Sequence, residues 1–188
     1  SNNEHTKEFG KSVKKLMLKK RSKIKRFLPY GRQSIDQNDI KKVSKILTSN
    51  LITQGPGIYS FEKKFSKYVG SKFAVACATG TAALHLSCKV LKLGPGKNLL
   101  TSPITFVASA NCAEYVGAKT YFADIDPNNF CISIKALKIF LSKKKIDILV
   151  VVHMSGHPAD LSEIYKLKKK YKFKVIEDAC HALGGSYK

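Results

Sequence analysis

Short apolar runs alternate with amphipathic stretches along most of this chain, and that alternation constrains its fold more than any other feature. The longest apolar run is Ile146 to His153; Leu99-Leu100, Lys119 to Ala123 and Phe173 to Ile176 are shorter, and Phe73 to Cys77 reads as a further strand. Helical spacing fills the gaps: Thr81 to Leu93, Phe106 to Tyr115, Ala136 to Leu141, and a helix to about Lys170 opened by the capping box Asp160-Leu161-Ser162-Glu163. Strands separated by helices need crossover connections. The expected class is therefore α/β, a mostly parallel sheet with helices on both faces. Upstream, Ser34 or Asp36 caps a helix with Ile40, Val43, Ile46 and Leu47 on one face. A breaker loop, Leu51 to Gly57, leads to another helix carrying Phe61, Phe65, Tyr68 and Val69.

Charge sets a second bound. The 188 residues carry a formal net charge of +21, and residues 1–26 hold ten Lys/Arg against two Glu. That stretch reads as a basic flexible segment, residues 27–188 as the globular part. Such a balance favours acidic partners: nucleotides, phosphates, RNA or an anionic surface. Yet Arg21, Arg26 and Arg32 are the only arginines. Lysine is the poorer reader of phosphates and bases in bidentate geometry, which argues against specific nucleic-acid recognition. The five cysteines include no C-x-x-C pair and sit in apolar stretches, as reduced core residues of a cytoplasmic protein would. No apolar run has the length of a membrane span, and no apolar core follows the N-terminal charges as in a secretory signal.

The chemistry collects where the strands end. In an open α/β sheet, ligands bind outside the carboxyl ends of the strands. After Phe73–Cys77 comes Ala78-Thr79-Gly80-Thr81, a small-residue turn opening a helix. Free N–H groups and threonine hydroxyls there suit an anion, and Gly80 allows close approach; an ordinary turn and cap is the other reading. Phe106 stands at the start of the next helix, able to stack on a planar ligand or to enter the core. His153 and His157 lie in a Gly/Pro loop, a poor setting for zinc, and no metal is expected. Val175-Ile176-Glu177-Asp178 ends a strand in two carboxylates, with His181 and Gly184-Gly185 beyond. A buried carboxylate needs a partner. The protonated ring nitrogen of pyridoxal phosphate (PLP) fits, and so does a lysine.

Four motifs in order carry a resemblance: Gly80-Thr81-Ala82-Ala83-Leu84-His85-Leu86, Thr105-Phe106-Val107-Ala108-Ser109-Ala110-Asn111, His153-Met154-Ser155-Gly156-His157-Pro158-Ala159-Asp160 and Glu177-Asp178-Ala179-Cys180-His181-Ala182-Leu183-Gly184. From about Phe27 to Lys188 the chain resembles the DegT/DnrJ/EryC1/StrS sugar aminotransferases. Pro29-Tyr30-Gly31-Arg32-Gln33-Ser34-Ile35 is most similar to the pseudaminic-acid branch, which aminates a UDP-linked 4-keto-6-deoxy-N-acetylhexosamine. The resemblance implies a fold-type-I large domain, PLP as cofactor, glutamate as amino donor, a nucleotide-sugar acceptor and a homodimer with shared sites. It also implies roles. Thr81 and Ala82, next to Gly80, hold the phosphate; Phe106 stacks on the ring; Asp178 pairs with the ring nitrogen; His181 lies near the phenolic oxygen. The Thr53-Gln54-Gly55-Pro56 loop borders the site.

In that family the lysine that binds the cofactor covalently lies downstream, in an S-F-x-x-x-K segment; Lys188 does not match it. The chain also starts at Ser1 rather than Met. The expectation is the first part of the PLP-binding large domain, without the Schiff-base lysine or the small C-terminal domain. Two other readings stay open: a dehydratase of the same family, with histidine at the lysine position, and a non-catalytic basic module that associates with RNA or membrane through residues 1–26.

Overall fold

The computed structural model describes Pro29 and residues 31–187. The basic segment 1–26 and Lys188 lie outside the described residues. The chain divides into two compact units, Ser1–Gly55 and Pro56–Lys188.

In the first unit, helix α1 (Gln37–Leu47) starts at Asp36. The Asp36 carboxylate accepts from the N–H groups of Asn38 and Asp39, and Asp39 returns the bond to the Asp36 N–H. This reciprocal box satisfies donors that the helix itself leaves without acceptors. The expected apolar face forms, and Ile40, Val43, Ile46 and Leu47 are all exposed.

The second unit opens with α2 (Pro56–Val69), where Phe61 and Phe65 stack with centroids 5.7 Å apart. Next come α3 (Gly80–Val90), β1 (Asn98–Thr101), α4 (Ala108–Glu114), β2 (Lys119–Phe122), α5 (Ile134–Lys143), β3 (Ile148–Val152), a short 3-10 turn (Met154–Gly156), α6 (Leu161–Tyr171) and β4 (Lys174–Asp178). The strands lie in the order β2-β1-β3-β4, all parallel. Every residue of β3 is buried, because both faces of the sheet are covered. Leu149 and Val151 point to a core shared with Leu137, Leu141, Ile164 and Leu167 of α5 and α6. Ile148, Val150 and Val152 point the other way, to Leu84, Cys88 and Cys112 of α3 and α4. A period of two on one strand thus feeds two cores.

Three expectations need correction. Phe73–Cys77 forms no strand and pairs with none among the described residues; Phe73 and Val75 are 76% and 82% exposed. Apolar, β-branched composition makes a strand only where a neighbour supplies the ladder, and here Glu62 alone catches the Ala76 N–H, at 2.8 Å. The capping box at Asp160 is half formed. Asp160 accepts from the Glu163 N–H, but the Glu163 carboxylate turns to Lys138 and Lys166, which hold it at about 2. Charged partners outcompete a backbone donor. Finally, Cys88, Cys112 and Cys131 are buried thiols, whereas Cys77 and Cys180 are exposed.

Candidate active site

Asp178 is the last residue of β4, paired in register with Val152 of β3, and only 8% exposed. Its carboxylate makes no ion pair with a lysine among the described residues. Instead Oδ2 accepts from the Ser109 hydroxyl at 2.9 Å, and Oδ1 accepts from the Cys180 N–H at 3.3 Å. Ser109 is fully buried in the first turn of α4, and its Oγ lies 2.8 Å from Thr105 Oγ1. A serine hydroxyl has one proton to give. With that proton directed at Asp178, Thr105 must be the donor to Ser109, so the three side chains form a one-way chain. The adjacent thiol responds to the acid: the Asp178 carboxylate, then partial burial, pushes Cys180 up to about 11. At neutral pH it is a protonated thiol, poor as a nucleophile.

Phe106 precedes α4 and is 71% exposed, so it is no core residue. Its carbonyl accepts from the Ser109 N–H at 3.1 Å. The exposed ring and the serine that holds the acid therefore sit on one helical turn.

The N-terminus of α3 approaches the same strand end. Thr79 caps it by accepting from the Ala82 N–H at 3.1 Å. The N–H groups of Gly80 and Thr81 stand outside the helix ladder, as the first donors of any helix do, and suit an anion. A Cβ added at Gly80 would come within 3.1 Å of Cys180 Sγ. The small-residue turn thus abuts the residue two beyond Asp178.

Loops leaving β3 and β4 also meet. Gly156 has φ +83, and a Cβ there would lie 2.8 Å from the His181 carbonyl, so only glycine suits that position. His181 itself is exposed, in the turn after β4. His153 is buried, with Nδ1 accepting from the Ala159 N–H at 3.1 Å; its ring proton therefore sits on Nε2, 3.1 Å from Glu177 Oε2. The Tyr165 hydroxyl donates to Glu177 Oε1 at 2.8 Å. His153 first, then Tyr165, hold the Glu177 carboxyl below the usual carboxylate range against partial burial.

The structure therefore brings Gly80, Thr81, Phe106 and Asp178 to one edge of the sheet, with His181 in the adjoining turn. The roles of Ser109, Thr105, Cys180, Glu177 and Tyr165 have no counterpart in the sequence expectations. The one available signal was the spacing of Thr105 and Ser109, one helical turn apart beside Phe106.

Chemically, the arrangement offers an anion cradle at a helix start, an exposed aromatic ring and a buried, hydrogen-bonded carboxylate. That set matches a planar, phosphorylated heteroaromatic cofactor with a basic ring nitrogen. Among the described residues no helix is long and apolar enough to cross a membrane.

The fold is that of the PLP aminotransferases of fold type I. Residues 33–188 match the model of the DegT/DnrJ/EryC1/StrS aminotransferase family, and the chain belongs to that family. It is 40% identical over 163 residues to the UDP-4-amino-4,6-dideoxy-N-acetyl-beta-L-altrosamine transaminase of Campylobacter jejuni, covering 86% of this chain and 43% of that protein. It is 37% identical over 162 residues to the UDP-4-amino-4-deoxy-L-arabinose--oxoglutarate aminotransferase of Shewanella sediminis, covering 86% and 42%. Among solved structures, the PLP form of the putative sugar aminotransferase Spr1654 from Streptococcus pneumoniae superposes with a TM-score of 0.76 at 26% identity, covering 84% of this chain and 44% of that one. The chain spans less than half the length of these relatives. PLP is the cofactor of the family, and the residues at this sheet edge fit it.

Proposed function

We propose that the full-length protein is a PLP-dependent nucleotide-sugar aminotransferase, a cytoplasmic homodimer that moves an amino group from glutamate to a UDP-linked 4-keto-6-deoxy-N-acetylhexosamine in the pseudaminic-acid pathway. Residues 27–188 are the first part of its large domain. The observation that carries this reading is Asp178: a buried carboxylate, held by two donors, at the carboxyl end of a parallel strand. The names of the Campylobacter and Shewanella relatives support the acceptor class and the donor.

When bound, PLP supplies an electron sink for breaking a bond at the amino-acid Cα. The side chains at the sheet edge hold and orient it. Asp178 would keep a proton on the ring nitrogen, since an adjacent anion favours the charged form. Phe106 would cover the ring. Gly80 and Thr81 would receive the phosphate, with Ala82 adding its N–H if it gave up the Thr79 cap. His181 would serve near the phenolic oxygen.

The test is the purified full-length protein. It should bind PLP and convert glutamate to 2-oxoglutarate only when a UDP-4-keto sugar is present. Turnover of a UDP-4-keto pentose in preference to the 6-deoxy-N-acetylhexosamine would refute the pseudaminic-acid assignment. Absence of PLP binding would refute the whole reading.

A further inference from the structure

We propose that Ser109 and Thr105 are positioning residues for the ring-nitrogen acid. Their hydroxyls form a donor chain that fixes the Asp178 carboxylate relative to the Phe106 ring. The proposal rests on Asp178 as the partner of the ring nitrogen and adds the device that aims it.

The geometry is closed at each step. Asp178 Oδ2 has the Ser109 hydroxyl at 2.9 Å, a bond between two buried side chains. Oδ1 has the Cys180 N–H at the longer 3.3 Å. Removing the Ser109 hydroxyl leaves the carboxylate with that weaker donor and the neighbouring thiol. The carboxylate could then rotate about its last side-chain bond. Thr105 keeps the chain directional: its hydroxyl, 2.8 Å from Ser109 Oγ, donates to the serine and leaves the serine proton for the acid. Ser109 is also tied to the stacking residue through the backbone, because its N–H bonds the Phe106 carbonyl at 3.1 Å. One turn at the start of α4 thus carries the ring-face contact and the clamp on the ring-edge contact. A carboxylate has roughly four acceptor directions, so these bonds leave room for a ring N–H. A group held this way loses little orientational freedom when the cofactor arrives.

The experiment compares Ser109→Ala, Thr105→Val, Thr105→Ser and Asp178→Asn in the full-length enzyme. Three quantities are read: PLP dissociation constant, the nitrogen-15 shift of ring-labelled PLP bound to the protein, and the split between kcat and KM. Loss of one charge-assisted hydrogen bond should weaken PLP binding about tenfold in Ser109→Ala. Its nitrogen-15 signal should move toward the unprotonated ring, and kcat should fall more than KM changes. Thr105→Val should show the same signature at about threefold, with Thr105→Ser restored to within error, since it keeps the hydroxyl. A wild-type nitrogen-15 signal and PLP affinity in both Ser109→Ala and Thr105→Val would overturn the proposal. So would an equal loss in Thr105→Ser and Thr105→Val. If Asp178→Asn also keeps the wild-type signal, the reading of Asp178 itself is at fault rather than its positioning. Should Ser109→Ala prove unfolded by circular dichroism, the two Thr105 variants decide.

Discussion

Glu177 and Asp178 are the same kind of group on adjacent residues, and the chain uses them in opposite ways. Successive side chains of a strand point to opposite faces. Asp178 therefore meets α4, through Ser109, while Glu177 meets α6, through Tyr165. On the Asp178 side the partners are small: two hydroxyls, a thiol and one N–H, beside an exposed ring. On the Glu177 side the carboxylate is bridged by a buried histidine and a tyrosine, and the histidine also secures the backbone of Ala159. Each carboxylate accepts from two donors, but Asp178 ties β4 to α4 while Glu177 ties it to β3 and α6. Position on a pleat, rather than residue type, decides which helix each acid meets.

Substitutions can break this contrast. The largest effect is expected from Asp178→Asn, which should lower kcat/KM of the full-length enzyme at least about a hundredfold, the scale for losing one preorganised electrostatic partner. Its thermal midpoint should stay near wild type. His153→Ala should do the reverse, costing about 2 kcal/mol in urea denaturation because the buried Ala159 N–H and the Glu177 carboxylate both lose a partner. PLP affinity should change little. A large loss of PLP binding in His153→Ala with unchanged stability would dissolve the distinction between the two sides.

Cys180 reports on the Asp178 side directly. With the thiol near 11, its alkylation by iodoacetamide, followed by peptide mapping, should rise about tenfold per pH unit between pH 8 and 10. Asp178→Asn removes the charge that raises the thiol and should speed the reaction at pH 8 about tenfold. Identical rates would mean that the carboxylate is not what holds the proton on sulfur.

The smallest effect is expected from Glu177→Gln, about 1 kcal/mol, because solvent reaches a side chain that is 34% exposed. The sign of its pH dependence follows from a carboxyl lowered in the folded protein. The contribution is complete above the ordinary glutamate range and fades as pH falls through and below it. The gap in urea midpoint between wild type and variant should be smaller at pH 3 than at pH 6.

Much of the fold was legible in the sequence because the strand code here is local. Ile148–Val152 is continuously apolar, and only a strand covered on both faces needs that. The turn at Gly80 and the acid at Asp178 were legible too, since each closely follows an apolar run, whereas the residues around Phe106 left its exposure open. Less visible was whatever depends on a distant partner. Phe73–Cys77 has strand composition but no neighbour among the described residues. Glu163 satisfies a local pattern, yet Lys138, 25 positions away, takes part of its carboxylate. Ser109 bonds an aspartate 69 positions further along, and its spacing of one helical turn from Thr105 is a faint local mark. Propensity records what a residue prefers by itself; the clamp on Asp178 is a property of two elements brought side by side.

The open side of β4 has a practical consequence. Among the described residues this strand pairs only with β3, so the amide and carbonyl groups along its other side are free valences for any extended peptide. Phe73–Cys77, apolar and largely exposed, is one such peptide by composition. The charges of β4 are of mixed sign, so it is the chain's net charge of +21 that opposes pairing with a second copy.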